Sequence, residues 1–135
     1  MMDARAVRQG EENTSTPLEM LQLVERIYRG KIIGEQARQA MLAILKQVKN
    51  AMRATVPAQY EVASKWGRVD GVAAEAGIVF LDRRPFALSV MSVFHGAKAE
   101  NPVGPVTRIV FDHFERLAHS NRYGNRFSPP LPPLH

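Results

Sequence analysis

Ser64-Lys65-Trp66-Gly67-Arg68 is the stretch whose residue types come closest to a binding chemistry. It closes an alternating, strand-like run, Tyr60-Glu61-Val62-Ala63. A lysine at the end of a β-strand, with a glycine two residues on, can set a cation and closely approaching backbone N–H groups beside a bound anion. Lys65, Trp66, Gly67 and Arg68 are therefore the candidate ligand-binding residues. Other constellations carry less. Asp70 and Glu75 sit five apart across an expected bend, where an ion pair with Arg68 or a neighbouring arginine is a plainer reading than paired catalytic carboxylates. His95, His113 and His119 lack the spacing and carboxylate-rich setting of a metal site, so no metal is expected, and His113 reads as a core or boundary histidine. No glycine-rich phosphate loop stands at a strand-to-helix junction, and no cofactor is expected.

The elements that must position this stretch follow from periodicity. Met1 to Asn13 shows no sustained period and reads as a loop or tail. Thr16-Pro17-Leu18-Glu19 is a helix start, with Thr16 as cap, Pro17 in the first turn and Glu19 completing a capping box. The helix should run to about Arg29 and stop at Gly30, with Leu18, Leu21, Val24, Ile27 and Tyr28 on one face. A second helix is expected from Glu35 to about Lys49, with Ala37, Met41, Ile44, Leu45 and Val48 on its apolar face, packed on the first as an antiparallel or angled pair. The pattern lapses over 50–59. Three strands follow, Tyr60 to Lys65, Ala73 to Leu81 and Phe86 to Phe94. A bulge is expected at Arg68-Val69-Asp70, between Gly67 and Gly71. Asp82-Arg83-Arg84-Pro85 is a turn, making the second and third strands an antiparallel hairpin. The third, nearly all apolar, should be central and buried on both faces. After a loop at 95–104, Pro105 to about His119 gives a last helix, with Val106, Ile109, Val110, His113, Phe114 and Leu117 at core spacing. Residues 121–135 form a proline-rich tail, and no internal repeat is present.

The chain has 135 residues, 45% of them hydrophobic, enough for one domain with a core. That places a single domain over 14–120, between the two tails. Nothing approaches a membrane span or a signal peptide, and the absence of cysteine excludes disulfides and thiolate metal sites. The net charge is +5, but Lys31, Arg38, Lys46, Lys49 and Arg53 interleave with apolar residues at helical spacing. Scattered cations of that kind read as solvated helix faces, so neither nucleic acid nor a membrane is an expected partner.

The order helix, helix, strand, strand, strand, helix resembles the carboxy-terminal half of a class A β-lactamase or penicillin-binding serine hydrolase. Three stretches carry the likeness. Asn13-Thr14-Ser15-Thr16-Pro17-Leu18-Glu19-Met20, followed by Tyr28-Arg29-Gly30 and Met41-Leu42, is similar to that family's helix pair after the omega loop, which opens T-T-P-x-x-M-A. Ser64-Lys65-Trp66-Gly67, then Gly71-Val72 and Glu75-Ala76-Gly77-Ile78-Val79-Phe80, looks like the K-T-G strand and its partner. Arg84-Pro85-Phe86-Ala87-Leu88-Ser89-Val90-Met91 looks like the strand that follows.

The resemblance implies an α+β fold: an antiparallel sheet of at least three strands, the C-terminal helix packed on it and the two N-terminal helices flanking it. In the family, further strands from the amino-terminal end complete the sheet. It implies a β-lactam-like small-molecule carboxylate as substrate, with Lys65 attracting the carboxylate, Gly67 allowing close approach and the backbone N–H of Arg68 serving as an oxyanion-hole donor. Trp66 stands where the family has Thr or Ser, and Arg68 where a small residue is common. No Ser-x-x-Lys occurs in the sequence, and Ser64 is directly adjacent to Lys65. Adjacent strand residues point to opposite faces, so Ser64-Lys65 cannot imitate that box. The chain alone is therefore expected to lack acylation activity, whatever the family's hydrolase chemistry. Its implied partner is a complementing amino-terminal half or a second copy. The alternative from the same residues is a non-catalytic module that holds carboxylate ligands or a partner strand on the Lys65–Arg68 edge. The family is typically periplasmic or secreted, and no signal peptide is visible here.

Overall fold

A computed structural model describes residues 14–69, 72–93 and 101–120. Helix α1 (Pro17–Tyr28) begins with the full capping box: Thr16 Oγ1 accepts from the Glu19 N–H at 3.2 Å, and the Glu19 carboxylate accepts from the Thr16 N–H at 2.7 Å. Arg29 is its C-cap, and Gly30 takes φ +65°, the left-handed conformation that glycine adopts without a Cβ penalty. Helix α2 (Glu35–Lys46) ends before the expected Lys49, because Gln47 and Val48 turn back onto the Ile44 and Leu45 carbonyls in a tightened last turn. α1 leans on the sheet's second and third strands and α2 on its first, with only a thin contact between the helices, so they form two separate braces rather than a packed pair.

The lapse expected at 50–59 contains a short helix, α3 (Ala51–Thr55). Asn50 caps it, its Oδ1 accepting the Arg53 N–H at 3.0 Å. Arg53 then fixes the loop that follows, donating to the carbonyls of Val56 at 2.7 Å and Pro57 at 3.0 Å and to that of Tyr60. Strands β1 (Glu61–Val69), β2 (Val72–Phe80) and β3 (Phe86–Val93) form an antiparallel sheet in the order β1-β2-β3. β1 and β2 stay in regular register from Glu61↔Phe80 to Val69↔Val72, so Arg68 and Val69 carry no bulge; Asp70 and Gly71 lie outside the described residues. The β2–β3 hairpin forms as expected, with the Arg84 N–H closing onto the Leu81 carbonyl and Arg83 at φ 65°. The expectation that Phe86 to Phe94 is central is corrected: β2 is the middle strand and β3 an edge of this sheet. Burial follows position. Residues 73 and 75–79 of β2 are buried, whereas β3 buries only Phe86 and Val90.

Helix α4 (Val103–Ala118) starts two residues before Pro105, with the Asn101 side chain accepting the Val103 N–H at 3.1 Å. Pro105 lies in the first turn, where its missing N–H forfeits no helical bond. Val106, Val110 and Phe114 pack against the core as expected, but the fully buried residues lie beside them and two of the expected positions face out. Val103, Thr107, Phe111 and Ala118 are buried, Ile109 is 70% exposed and His113 is exposed, touching Phe114 edge-on at 5.6 Å.

The result is three layers. Between the sheet and α3/α4 lies the main core, where Met52, Val62, Val79, Phe86 and Phe111 meet, Phe86 stacks on Phe114 at 4.5 Å and Tyr60 tilts on Phe111 at 5.5 Å. On the opposite face, under α1 and α2, the buried set shrinks to Leu42, Ala63 and Ile78, flanked by Tyr28 set edge-on to Phe80. The α+β architecture read from the sequence is thus the one observed. The expected tail at 121–135 and loop at 95–100 lie outside the described residues.

The β1–β2 ladder is unusually close at one point: a Cβ built on Gly77 would lie 2.3 Å from Ser64 Cβ and 2.7 Å from the Ala63 carbonyl oxygen. Backbone cannot yield there, so Gly77→Ala is expected to destabilise the fold by about 1–3 kcal/mol in chemical denaturation. Gly67→Ala, whose Cβ would meet nothing within 4 Å, should stay within about 0.5 kcal/mol of the parent.

Candidate functional site

Strand alternation divides the candidate residues between the two faces of β1. Ser64, Trp66 and Arg68 face α3 and α4, as Val62 does in the main core; Lys65 joins Ala63 on the α1/α2 side. Being on an edge strand, Lys65 folds back: its Nζ donates to the Trp66 carbonyl and lies 5.6 Å from the Trp66 ring centroid, within cation–π range. The carbonyl that receives it points off the outer edge. The tight Ser64–Gly77 approach marks the same parity, since the narrow pairs of an antiparallel ladder are those whose N–H and C=O groups turn away from the partner strand. Ser64, Trp66 and Arg68 thus aim their N–H groups outward. Gly67 lies between them with open space where a Cβ would be, so a ligand can approach the backbone there.

Behind this edge is a polar cluster that sequence reasoning missed. Asn50 Nδ2 donates to Ser64 Oγ at 2.7 Å while its Oδ1 caps α3. Glu75, directly opposite Trp66 in the register and 3% exposed, accepts the Met52 N–H at 3.1 Å. Burial pushes the Glu75 carboxyl above the usual carboxylate range, against the opposing pull of hydrogen bonds from Met52, Ser64 and Ala51. Between α3, α4 and the outer end of β1 lies a cavity of about 220 Å³, lined among others by Trp66, Arg68, Glu75, Asn50, Lys49 and Asn101. Trp66 is 46% exposed at its mouth. The signals available in the sequence were Asn50, a cap-type residue, and two polar residues inside strands. Their convergence depends on register, which spacing alone does not give.

The remaining candidates disperse. Asp70 and His95 fall outside the described residues, and His119 Nδ1 lies 2.9 Å from the Glu115 carbonyl. Among the described residues no group of three or more His, Cys, Asp or Glu could hold a metal ion, and no helix is long and apolar enough to cross a membrane.

Comparison with known proteins decides the family. The family model described as the β-lactamase enzyme family matches residues 1–114. The chain belongs to that family. Among solved structures it is similar to a β-lactamase from Burkholderia ambifaria (TM-score 0.68, 25% identity, 77% of this chain and 43% of that one). It is also similar to a β-lactamase from Chitinophaga pinensis (0.69, 27% identity, 84% and 48%) and to a class A β-lactamase from Mycobacterium abscessus (0.68, 25% identity, 78% and 44%). This chain therefore spans less than half the length of these solved β-lactamases. No curated protein matches it. The fold family read from the K-x-G strand and its flanking elements is the one found, as the partial form of a longer fold.

The raised Glu75 pKa has a measurable sign. A carboxyl with a folded-state pKa above its unfolded value favours folding fully below the unfolded value, near 4.5, and loses that contribution as pH rises through the folded value. Denaturation midpoints of the parent should therefore fall from acidic toward neutral pH relative to Glu75→Gln, by about 1.4 kcal/mol per unit of separation. Glu75→Ala leaves the Met52 N–H buried without its acceptor and should cost about 1–3 kcal/mol at acidic pH, a cost that shrinks as pH rises through the folded-state value.

Proposed function

We propose that this chain is the sheet-bearing part of a serine hydrolase of the β-lactamase type, and that the outer edge of β1 is its substrate edge. The observation that carries this reading is the outward direction of the Trp66 carbonyl, set by the ladder and met by Lys65, together with the open approach at Gly67. Lys65 supplies the cation for a substrate carboxylate, in a charge-assisted contact stronger than the carbonyl contact it now makes. The outward N–H of Arg68 serves as an oxyanion donor to a carbonyl attacked in the cleft. Trp66 and the Arg68 side chain set the shape of the adjoining cavity, where the resemblance has a small hydroxyl residue and another small residue. The nucleophile is not encoded in these residues, because no Ser-x-x-Lys is present. Acylation therefore requires the remainder of the fold.

A second reading, a non-catalytic carboxylate-binding module, is favoured by the same pairing of cation and edge N–H with no nucleophile. Exposure of the isolated chain to benzylpenicillin, followed by intact-mass measurement, should show no adduct; an acyl adduct on this chain alone would overturn the division of labour proposed. Benzylpenicillin should still bind saturably, with Lys65→Ala weakening it about tenfold or more, consistent with loss of one charge-assisted contact. Trp66, the only tryptophan, provides the fluorescence readout. Binding that survives Lys65→Ala unchanged would remove both readings of the edge.

A further inference from the structure

One acidic side chain lies inside the sheet beside the proposed substrate edge. Glu75 is 3% exposed and stands directly opposite Trp66, the residue whose carbonyl receives Lys65. Neighbouring strands are about 5 Å apart, so Glu75 sits a single strand behind the N–H groups that face outward. A hydrogen-bonded chain holds it there. Asn50 Nδ2 donates to Ser64 Oγ at 2.7 Å, and Ser64, Ala51 and Met52 in turn hydrogen-bond to the carboxyl. The Asn50 oxygen already accepts the Arg53 N–H, so its amide serves Ser64 as donor and leaves the Ser64 hydroxyl proton for Glu75. The wall of the adjoining cavity contains Lys49 and Arg68 but, among the described residues, no second carboxylate.

We propose that Glu75 sets the affinity of the β1 edge for anionic ligands by its charge: neutral, it leaves an incoming carboxylate to Lys65 and the outward N–H groups, and ionised, it places a buried negative charge behind them. This role presupposes the carboxylate-binding reading of that edge and deepens it, adding a specificity-determining residue that acts from across the strand. A partner for the Met52 N–H needs only an acceptor, which a neutral side chain also offers; a carboxyl at this point adds a charge that comes and goes. Burial disfavours the ionised form and holds the Glu75 carboxyl above the usual carboxylate range, so its ionisation falls on the way from acid toward neutral pH. The charged groups on the surrounding elements are all basic. Lys49 and Arg68 line the cavity, and Lys65 lies on the other face of β1. Arg53 is taken up by the carbonyls of Val56, Pro57 and Tyr60, and Arg108 of α4 by that of Thr55. On β3 the residue opposite Glu75 is Val90, which does not titrate. At a separation of roughly 10 Å and an effective dielectric of about 20, one such charge changes the affinity for a carboxylate about tenfold.

The test uses the full chain and benzylpenicillin, read by Trp66 emission from about pH 4.5 to about pH 8. Without ligand, the emission should change in one step as Glu75 ionises beside the indole, and that step should be absent in Glu75→Gln. With ligand, the affinity of the parent should be highest on the acidic side and fall about tenfold across the same step. By linkage, saturating benzylpenicillin should move the step to higher pH. Glu75→Gln should bind with the parent's acidic-side affinity at every pH. A purely structural Glu75 predicts instead an affinity that ignores the step, and the two profiles of the parent decide between these even where Glu75→Gln does not fold. Constant parent affinity across the step, no step in the ligand-free parent, or a Glu75→Gln profile that declines like the parent's would each overturn the role of Glu75 while leaving the edge as a carboxylate site. No binding to the parent at any pH would remove the reading of the edge and the role of Glu75 together.

Discussion

The close approach of Ser64 to Gly77 is the constraint from which the rest of the site follows. Only a residue without a Cβ lets the two strands come so near, and the approach sets the parity of β1, turning the backbone groups of Ser64, Trp66 and Arg68 outward. It also brings Ser64 Oγ to Asn50 Nδ2, and Asn50 in turn caps α3. The first turn of α3 then offers the Met52 N–H to Glu75. A buried carboxylate, a hydroxyl and an amide are thereby satisfied as one network, which is the condition under which polar groups are tolerated in a core. The edge proposed to face substrate and the stretch that anchors a helix are the same strand, read on two sides.

The two faces of the sheet are unequal, and the inequality is informative. On the α3/α4 side aromatic rings and β-branched residues interlock, with Phe111, Met52, Val62 and Val79 essentially sealed from water. On the α1/α2 side the sheet presents Ala63, Ala76 and Ile78, and the helices above it remain half-exposed. Burial of apolar surface contributes about 25 cal/mol per Å², so the first face supplies most of the folding free energy available within this chain. Exposed ends are braced instead by charge: Lys46 lies 4.5 Å over the Phe80 ring while pairing with Glu61 at 2.6 Å.

Much of this was legible in the sequence where a local rule sufficed. The Thr16–Glu19 capping box, the Gly30 stop, three strands and the β2–β3 hairpin each depend on residues within a few positions of one another. What was not legible depends on neighbours far along the chain. α3 has five residues, too few for a period, and is held by Asn50, Arg53 and Glu75 rather than by an apolar stripe. The apolar run of β3 reads equally as a central strand or as an edge that another segment covers, and only the sheet order separates these. The face of α4 was legible only in part, because Val106, Ile109, Val110, Phe111 and Phe114 wrap around more than half the helix: Val106, Val110 and Phe114 pack on the core and Ile109 does not. The Glu75 cluster needed the register Trp66↔Glu75 before its members could be connected.

Trp66, where the resemblance has a small hydroxyl residue, gives the Lys65 cation a second partner. The ammonium is satisfied by a carbonyl oxygen and by the face of the neighbouring indole, two partners that carry no net charge. In the proposed role a carboxylate at the edge near Gly67 would offer a stronger bond than the carbonyl does. If Lys65 binds a carboxylate as proposed, these contacts restrain it beforehand, and the entropy lost on binding by a long, otherwise freely rotating side chain is reduced. The same indole occupies space at the mouth of the cavity behind it, so what it gives to the cation it takes from the breadth of groups that can enter beside Arg68. The indole that contacts the Lys65 ammonium is thus also the group that narrows the mouth of the cavity, so the two effects are tied to one position.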